Sequence, residues 1–89
     1  MVITKHAKIR ALERLMHTSL TGATDDEKLS NREQSRMIEE FLQKSVRTSN
    51  AFKLEGVKYL SQIDGFDSHR AVIRVSDGEH ILISVIPIN

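Results

Sequence analysis

A helical period that gives way to a strand period near Thr48 predicts an α+β domain, with two N-terminal helices packed on a three- to four-stranded antiparallel sheet. Two further observations point the same way. The 89 residues suffice for one hydrophobic core and not for two, so residues 1–89 read as a single domain. Asp77-Gly78, set between two alternating stretches, is the signature of a two-residue hairpin turn in which both positions take positive φ.

The first helix is expected to start at Thr4, whose hydroxyl can accept from the amide of Ala7 or Lys8, and to run to about His17. At about 100° per residue, Ala7, Ile9, Ala11, Leu12, Leu15 and Met16 cover one broad side. His6, Arg10, Glu13 and His17 form a narrow stripe opposite. Thr18 to Leu29, with Gly22 and Asp25-Asp26-Glu27, reads as a long loop with room for a turn of helix after Thr24. The second helix opens on a capping box, Ser30-Asn-Arg-Glu33. Ile38, Phe41, Leu42 and Val46 then recur at steps of three and four, with charged residues on the other side.

Beyond Asn50 the pattern alternates. Ala51 to Ile63 reads as two strands around Glu55-Gly56, and His69 to Ile86 as a hairpin, with the Asp64 to Ser68 loop between them. Pairing Ser76 with Glu79 sets Val75 opposite His80, Ile73 opposite Leu82, Ala71 opposite Ser84 and His69 opposite Ile86. That register puts His69 and His80 on one face, at opposite ends of it. Arg70, Arg74 and Glu79 go to the other face with Val72, Ile81, Ile83 and Val85. Both faces mix apolar and polar residues, so the alternation leaves open which one meets the helices.

Composition narrows the function classes. The net charge is only +1, yet residues 1–17 carry +3 through Lys5, Lys8, Arg10 and Arg14 against Glu13, and the remainder carries −2. Cysteine is absent, which excludes disulfides and thiolate metal sites and fits a cytoplasmic protein. No apolar run is long enough to span a membrane. His6 and His17 lie about 16 Å apart along a helix axis, too far to share one ion, and no H-x-x-x-H pair or phosphate-binding glycine fingerprint occurs. Neither a metal nor another cofactor is expected.

The opening "ITKHAKIRALERL" resembles the S-x-H-A-x-x-R-x-x-E-R start of small phage and bacterial domains of unknown function. It also looks like the Q-H-x-x-x-R-x-x-x-R helix of the phage early-mRNA endoribonucleases, which have a RelE-like fold. The motif spans about a dozen residues; the rest is similar only in element order. The resemblance implies a toxin-like, microbial-ribonuclease-like layout, a phage or mobile-element origin, action in the host cytoplasm, and catalytic weight on His6 with Arg10 in support. Those nucleases carry a second histidine after E-x-F; here Glu39-Glu40-Phe41 is followed by Leu42.

Metal-independent RNA cleavage needs a base for the 2′-hydroxyl proton, an acid for the leaving oxygen and a cation for the phosphorane charge. His6 as proton carrier, Arg10 as phosphate clamp and Glu13 beside them form the candidate catalytic set. Lys5, Lys8, Arg14, Arg70 and Arg74 are the candidate RNA contacts, and His69 and His80 candidate accessory groups. The competing account of the stripe is a solvated helix face with an Arg10–Glu13 pair. A competing function is a non-catalytic protein that binds and inhibits a host protein. An exposed sheet edge would serve such a partner by strand addition, or pair two copies into a homodimer.

Overall fold

The computed structural model describes residues 1–55 and 58–88, and for residues 48–55 the backbone alone. The order is β1 (Val2–Ile3), α1 (Lys5–Arg14), α2 (Asp25–Lys28), α3 (Arg32–Ser45), β2 (Val46–Glu55), β3 (Lys58–Ile63), β4 (His69–Ser76) and β5 (Glu79–Pro87). The class is α+β as expected. The sheet, however, is mixed and five-stranded, in the order β1-β5-β4-β3-β2, instead of antiparallel with three or four strands. The added strand is β1, which pairs parallel with β5 through Val2↔Ile81 and Ile3↔Leu82. Two residues are too few to show a strand period, so only their distant partner reveals them.

Local chemistry accounts for most boundaries. Thr4 caps α1, its Oγ1 accepting from the Ala7 amide at 3.2 Å. The helix stops earlier than expected, at Arg14. The Met16 amide reaches the Ala11 carbonyl at 3.3 Å, the Thr18 amide reaches the Leu12 carbonyl at 2.9 Å, and His17 takes φ 51°. The turn after Thr24 is real: Thr24 accepts from the Glu27 amide, and the Glu27 carboxylate accepts from the Ala23 amide, which satisfies two donors at the start of α2. For α3 the cap is Asn31 and not Ser30. The Asn31 side chain accepts from the Gln34 amide at 3.1 Å, and the capping-box reading of Ser30 with Glu33 is one residue out of phase. At its other end α3 passes straight into β2, and the Asp64 amide donates to the Ser45 carbonyl at 2.8 Å, closing a helix end that has no glycine cap.

The hairpin turn behaves as read, with Asp77 at φ 50° and Gly78 at φ 77°. Its register holds from Ser76↔Glu79 through Ile73↔Leu82 and then shifts by one residue, so that Val72 faces Ser84, Ala71 faces Val85, Arg70 faces Ile86 and His69 faces Pro87. A bulge at Ile83 causes the shift. It corrects the expected pairing of Ala71 with Ser84 and the placing of Val85 beside Arg70: the bulge brings Val85 inward, where it is fully buried, in place of a serine. The proposed turn at Glu55-Gly56 lies outside the described residues at Gly56.

One core holds the domain together. Ala7, Ala11, Leu12 and Leu15 of α1 and its end, and Ile38 and Leu42 of α3, pack on Ile63, Ala71, Ile73, Leu82 and Val85. Leu42, which follows Glu39-Glu40-Phe41, is fully buried in this core. Phe41 and Phe66 meet edge to face at 5.7 Å beside it. Ser61 stands opposite Ala71 on this face, is fully buried, and its Oγ has no hydrogen-bond partner among the described residues. An orphaned hydroxyl in an apolar core costs free energy. Ser61→Ala should therefore stabilise the fold by about 1 kcal/mol, seen as a melting temperature about 5 °C higher in a circular-dichroism melt.

Candidate functional site

The cations of α1 are largely committed to intramolecular partners. Lys5 pairs with Asp26 of α2, Lys8 with Glu39 of α3 at 3.4 Å, and Arg10 with Glu13 at 3.3 Å. Arg14 donates from Nη1 to the Val85 carbonyl at 2.5 Å. That carbonyl lies along the edge of β5 beyond the point where β1 ends, so Arg14 occupies an acceptor that would otherwise face solvent at a sheet edge. Acids from α2 and α3 thus meet Lys5 and Lys8, while Arg10 pairs within α1 and Arg14 with a backbone carbonyl. His6 remains exposed, and His17 has left the helix. The hydrogen bond from Lys5 to Asp26, and then the Asp26 charge, raise the Lys5 pKa above the ordinary lysine value. Because the folded value is the higher one, this contribution is complete below the unfolded pKa and is lost only as pH rises through the raised value, leaving neutral pH unaffected.

The sheet histidines do not join this stripe as one site. His69 faces Pro87 and His80 faces Val75, so they sit seven β5 positions apart, about 23 Å along the strand. Ser68 Oγ and His69 Nδ1 are 3.0 Å apart, which orients that ring locally. Among the described residues no three His, Asp or Glu side chains stand together as metal ligands.

Arg70 and Arg74 have a different setting. Ala71 and Ile73 belong to the core, so alternation sends Arg70, Val72 and Arg74 to the opposite face, and directly paired residues share that face. Three cross-strand rows result. One runs Arg47–Gln62–Arg70–Ile86, the next Leu60–Val72–Ser84, and the third Lys58–Arg74–Ile81–Val2, with Glu55 at the register position beyond Lys58. α1 and α3 pack on the core side and α2 sits on α1, so this face carries no helix. Arg47, Lys58, Gln62 and Arg74 are exposed, and Val2 is 46% exposed. Val72 at the centre is only 7% exposed. Arg47 donates to Asp64 at 2.6 Å, and the Arg70 guanidinium donates to the Asp67 and His69 carbonyls at 2.8 and 2.9 Å. Neither Arg70 nor Arg74 has an ion-pair partner among the described residues.

The sequence had named Arg70 and Arg74 but not Lys58, Arg47 or Gln62. The period-two spacing of Lys58, Leu60 and Gln62 was visible. What could not be read was how β3 aligns with β4, because the five-residue Asp64 to Ser68 loop fixes no register as a two-residue turn does.

Neither family models, curated proteins nor solved structures give a match to this chain. No helix is long and apolar enough to cross a membrane among the described residues.

Three substitutions test which side chains of α1 and the residues after it hold the fold. His17→Gly should raise stability by about 0.5–1 kcal/mol in urea titrations, because a left-handed backbone suits glycine. Arg14→Ala should cost about 1–2 kcal/mol in the same measurement, because it removes a charge-assisted bond from a partly buried carbonyl, whereas Lys5→Ala should leave the midpoint unchanged.

Proposed function

We propose that this domain is an RNA-binding protein of the cytosol that holds RNA on the helix-free face of its sheet. The observation that carries the reading is the placement of Arg70 and Arg74 on that face, in register with Lys58, Gln62 and Arg47, while the cations of α1 are held by the protein's own groups. Planar guanidinium groups suit phosphate oxygens, and phosphate contacts supply most of the affinity of a sequence-tolerant RNA binder. The likeness of the opening motif to RelE-like domains is part of the proposal; the α+β class supports it, while the mixed five-stranded sheet differs from the expected strand count and order.

Cleavage through His6 is not part of it. α1 packs on the core side of the sheet, so RNA on the open face lies across the sheet from His6 and Arg10. The described residues of the open face supply cations for phosphate and no histidine between the two cationic rows.

Binding of a short labelled RNA, read by fluorescence anisotropy, tests this directly. Arg70→Ala combined with Arg74→Ala should weaken binding by about tenfold or more and reduce the salt slope by about two, while His6→Ala and Arg10→Ala leave affinity unchanged. If polyglutamate binds as tightly as RNA, the face is a dock for an acidic host protein and the RNA reading is wrong. Affinity lost with His6→Ala and kept in the double arginine variant would move the site to α1.

A further inference from the structure

The middle of the open face is closed, and its cations stand on either side of the closed part. Gln62 and Arg70 form a cross-strand row near one end of β3 and β4, with Arg47 beyond Gln62. Lys58 and Arg74 form a second row near the other end, with Glu55 beyond Lys58. Leu60 and Val72 pair between the rows, Phe52 stands in register beside Leu60, and Val72 is only 7% exposed, so a base has no way into this band. Arg70 and Arg74 are four strand residues apart, about 13 Å. Arg70 does not lean across to shorten the gap, because its guanidinium donates to the Asp67 and His69 carbonyls at its own end.

That spacing decides how many backbones the face can serve. A single strand that reached both rows would need about four stacked nucleotides at about 3.4 Å each, and its intermediate phosphates would lie over the apolar band, losing water without gaining a cation. A strand laid along one row would leave the other idle. Two strands running side by side, one over each row, meet both sets of cations and place no phosphate on the band. The two edges of a duplex groove have that form. In B-form DNA the minor groove is about 6 Å wide, too narrow for these rows, and the major groove is about 8.5 Å deep, which Leu60, Val72 and Ser84 are too short to fill. The minor groove of A-form RNA is wide and shallow, and it displays the 2′-hydroxyls.

Resting on the RNA reading above, we infer that the ligand is double-stranded RNA, lying with its minor groove over the Leu60–Val72 band, one strand's phosphates at Arg70 and the other's at Lys58 and Arg74. Ser84 continues the band beyond Val72, and Gln62 stands beside Arg70. These two neutral hydrogen-bonding side chains are placed for ribose 2′-hydroxyls. Contacts to phosphate and sugar carry no base identity, so the site reads the shape of the duplex and not its sequence.

The test measures fluorescence anisotropy for one labelled RNA as a single strand and as a duplex with its complement, and for the DNA duplex of the same sequence. The RNA duplex should bind at least about tenfold more tightly than either of the others. Gln62→Ala combined with Ser84→Ala, checked for folding by circular dichroism, should weaken the RNA duplex about fivefold and leave the DNA duplex unchanged. A single strand bound as tightly as the RNA duplex, equal binding of the two duplexes, or silence of the double variant overturns this inference and leaves only phosphate contacts at the arginines. Failure of both forms of RNA to bind overturns the RNA reading itself.

Discussion

Thr4 joins the two ends of the chain, and most of the architecture follows from that junction. Its amide and its hydroxyl both donate to the Leu82 carbonyl, at 3.1 and 3.0 Å, while the same hydroxyl accepts from the Ala7 amide. One side chain therefore ends a strand, starts a helix and fixes where that helix begins on β5. Residues 78 positions apart are held together by it. Closing a loop of that size carries a large entropic cost, offset here by the apolar burial that the junction makes possible. With α1 started over Leu82, its far end arrives near Val85, where Arg14 reaches the strand's free carbonyl.

The bulge at Ile83 is the complementary adjustment on β5. An unbroken ladder would have turned Ser84 toward the helices and Val85 toward solvent. Inserting one residue reverses that choice for the rest of the strand, because side chains alternate with period two. The core gains Val85, and Ser84 joins the open face beside Val72. The core side and the open face are thus two products of one register shift.

Charge is divided between the faces by the same placement. On the helix side, acids from α2 and α3 come to the lysines of α1; the exposed Lys5–Asp26 pair adds little stability, and with the half-buried Lys8–Glu39 pair it removes a basic surface that the first seventeen residues had suggested. On the open side, Arg70 and Arg74 are separated from the acids of α2 and α3 by the thickness of the sheet, and the acids in register on their own face are Glu55, beyond Lys58, and Glu79, opposite Ser76. Arg70 is instead steadied by two backbone carbonyls, which orient a guanidinium without neutralising it. A domain whose overall charge is nearly zero can present a local cationic surface in this way.

Local signals were enough for several elements. The Thr4 cap, the turn of helix after Thr24, the apolar period of α3 and the left-handed Asp77-Gly78 turn each depend on residues within a few positions of one another, and the hairpin register followed from that turn as far as Ile73↔Leu82. Even a local cap was misplaced when Ser30 and Asn31 competed for it, since either side chain can accept from the first turn. The parallel strand β1, the bulge at Ile83 and the alignment of β3 on β4 were decided only by tertiary structure. Each is a bargain between segments far apart in the chain, settled by which arrangement buries the most apolar surface with the fewest unpaired polar groups. The candidate site divides along the same line: the sequence named Arg70 and Arg74, but the face they share with Lys58 and Gln62 exists only once α1 and α3 have covered the other side.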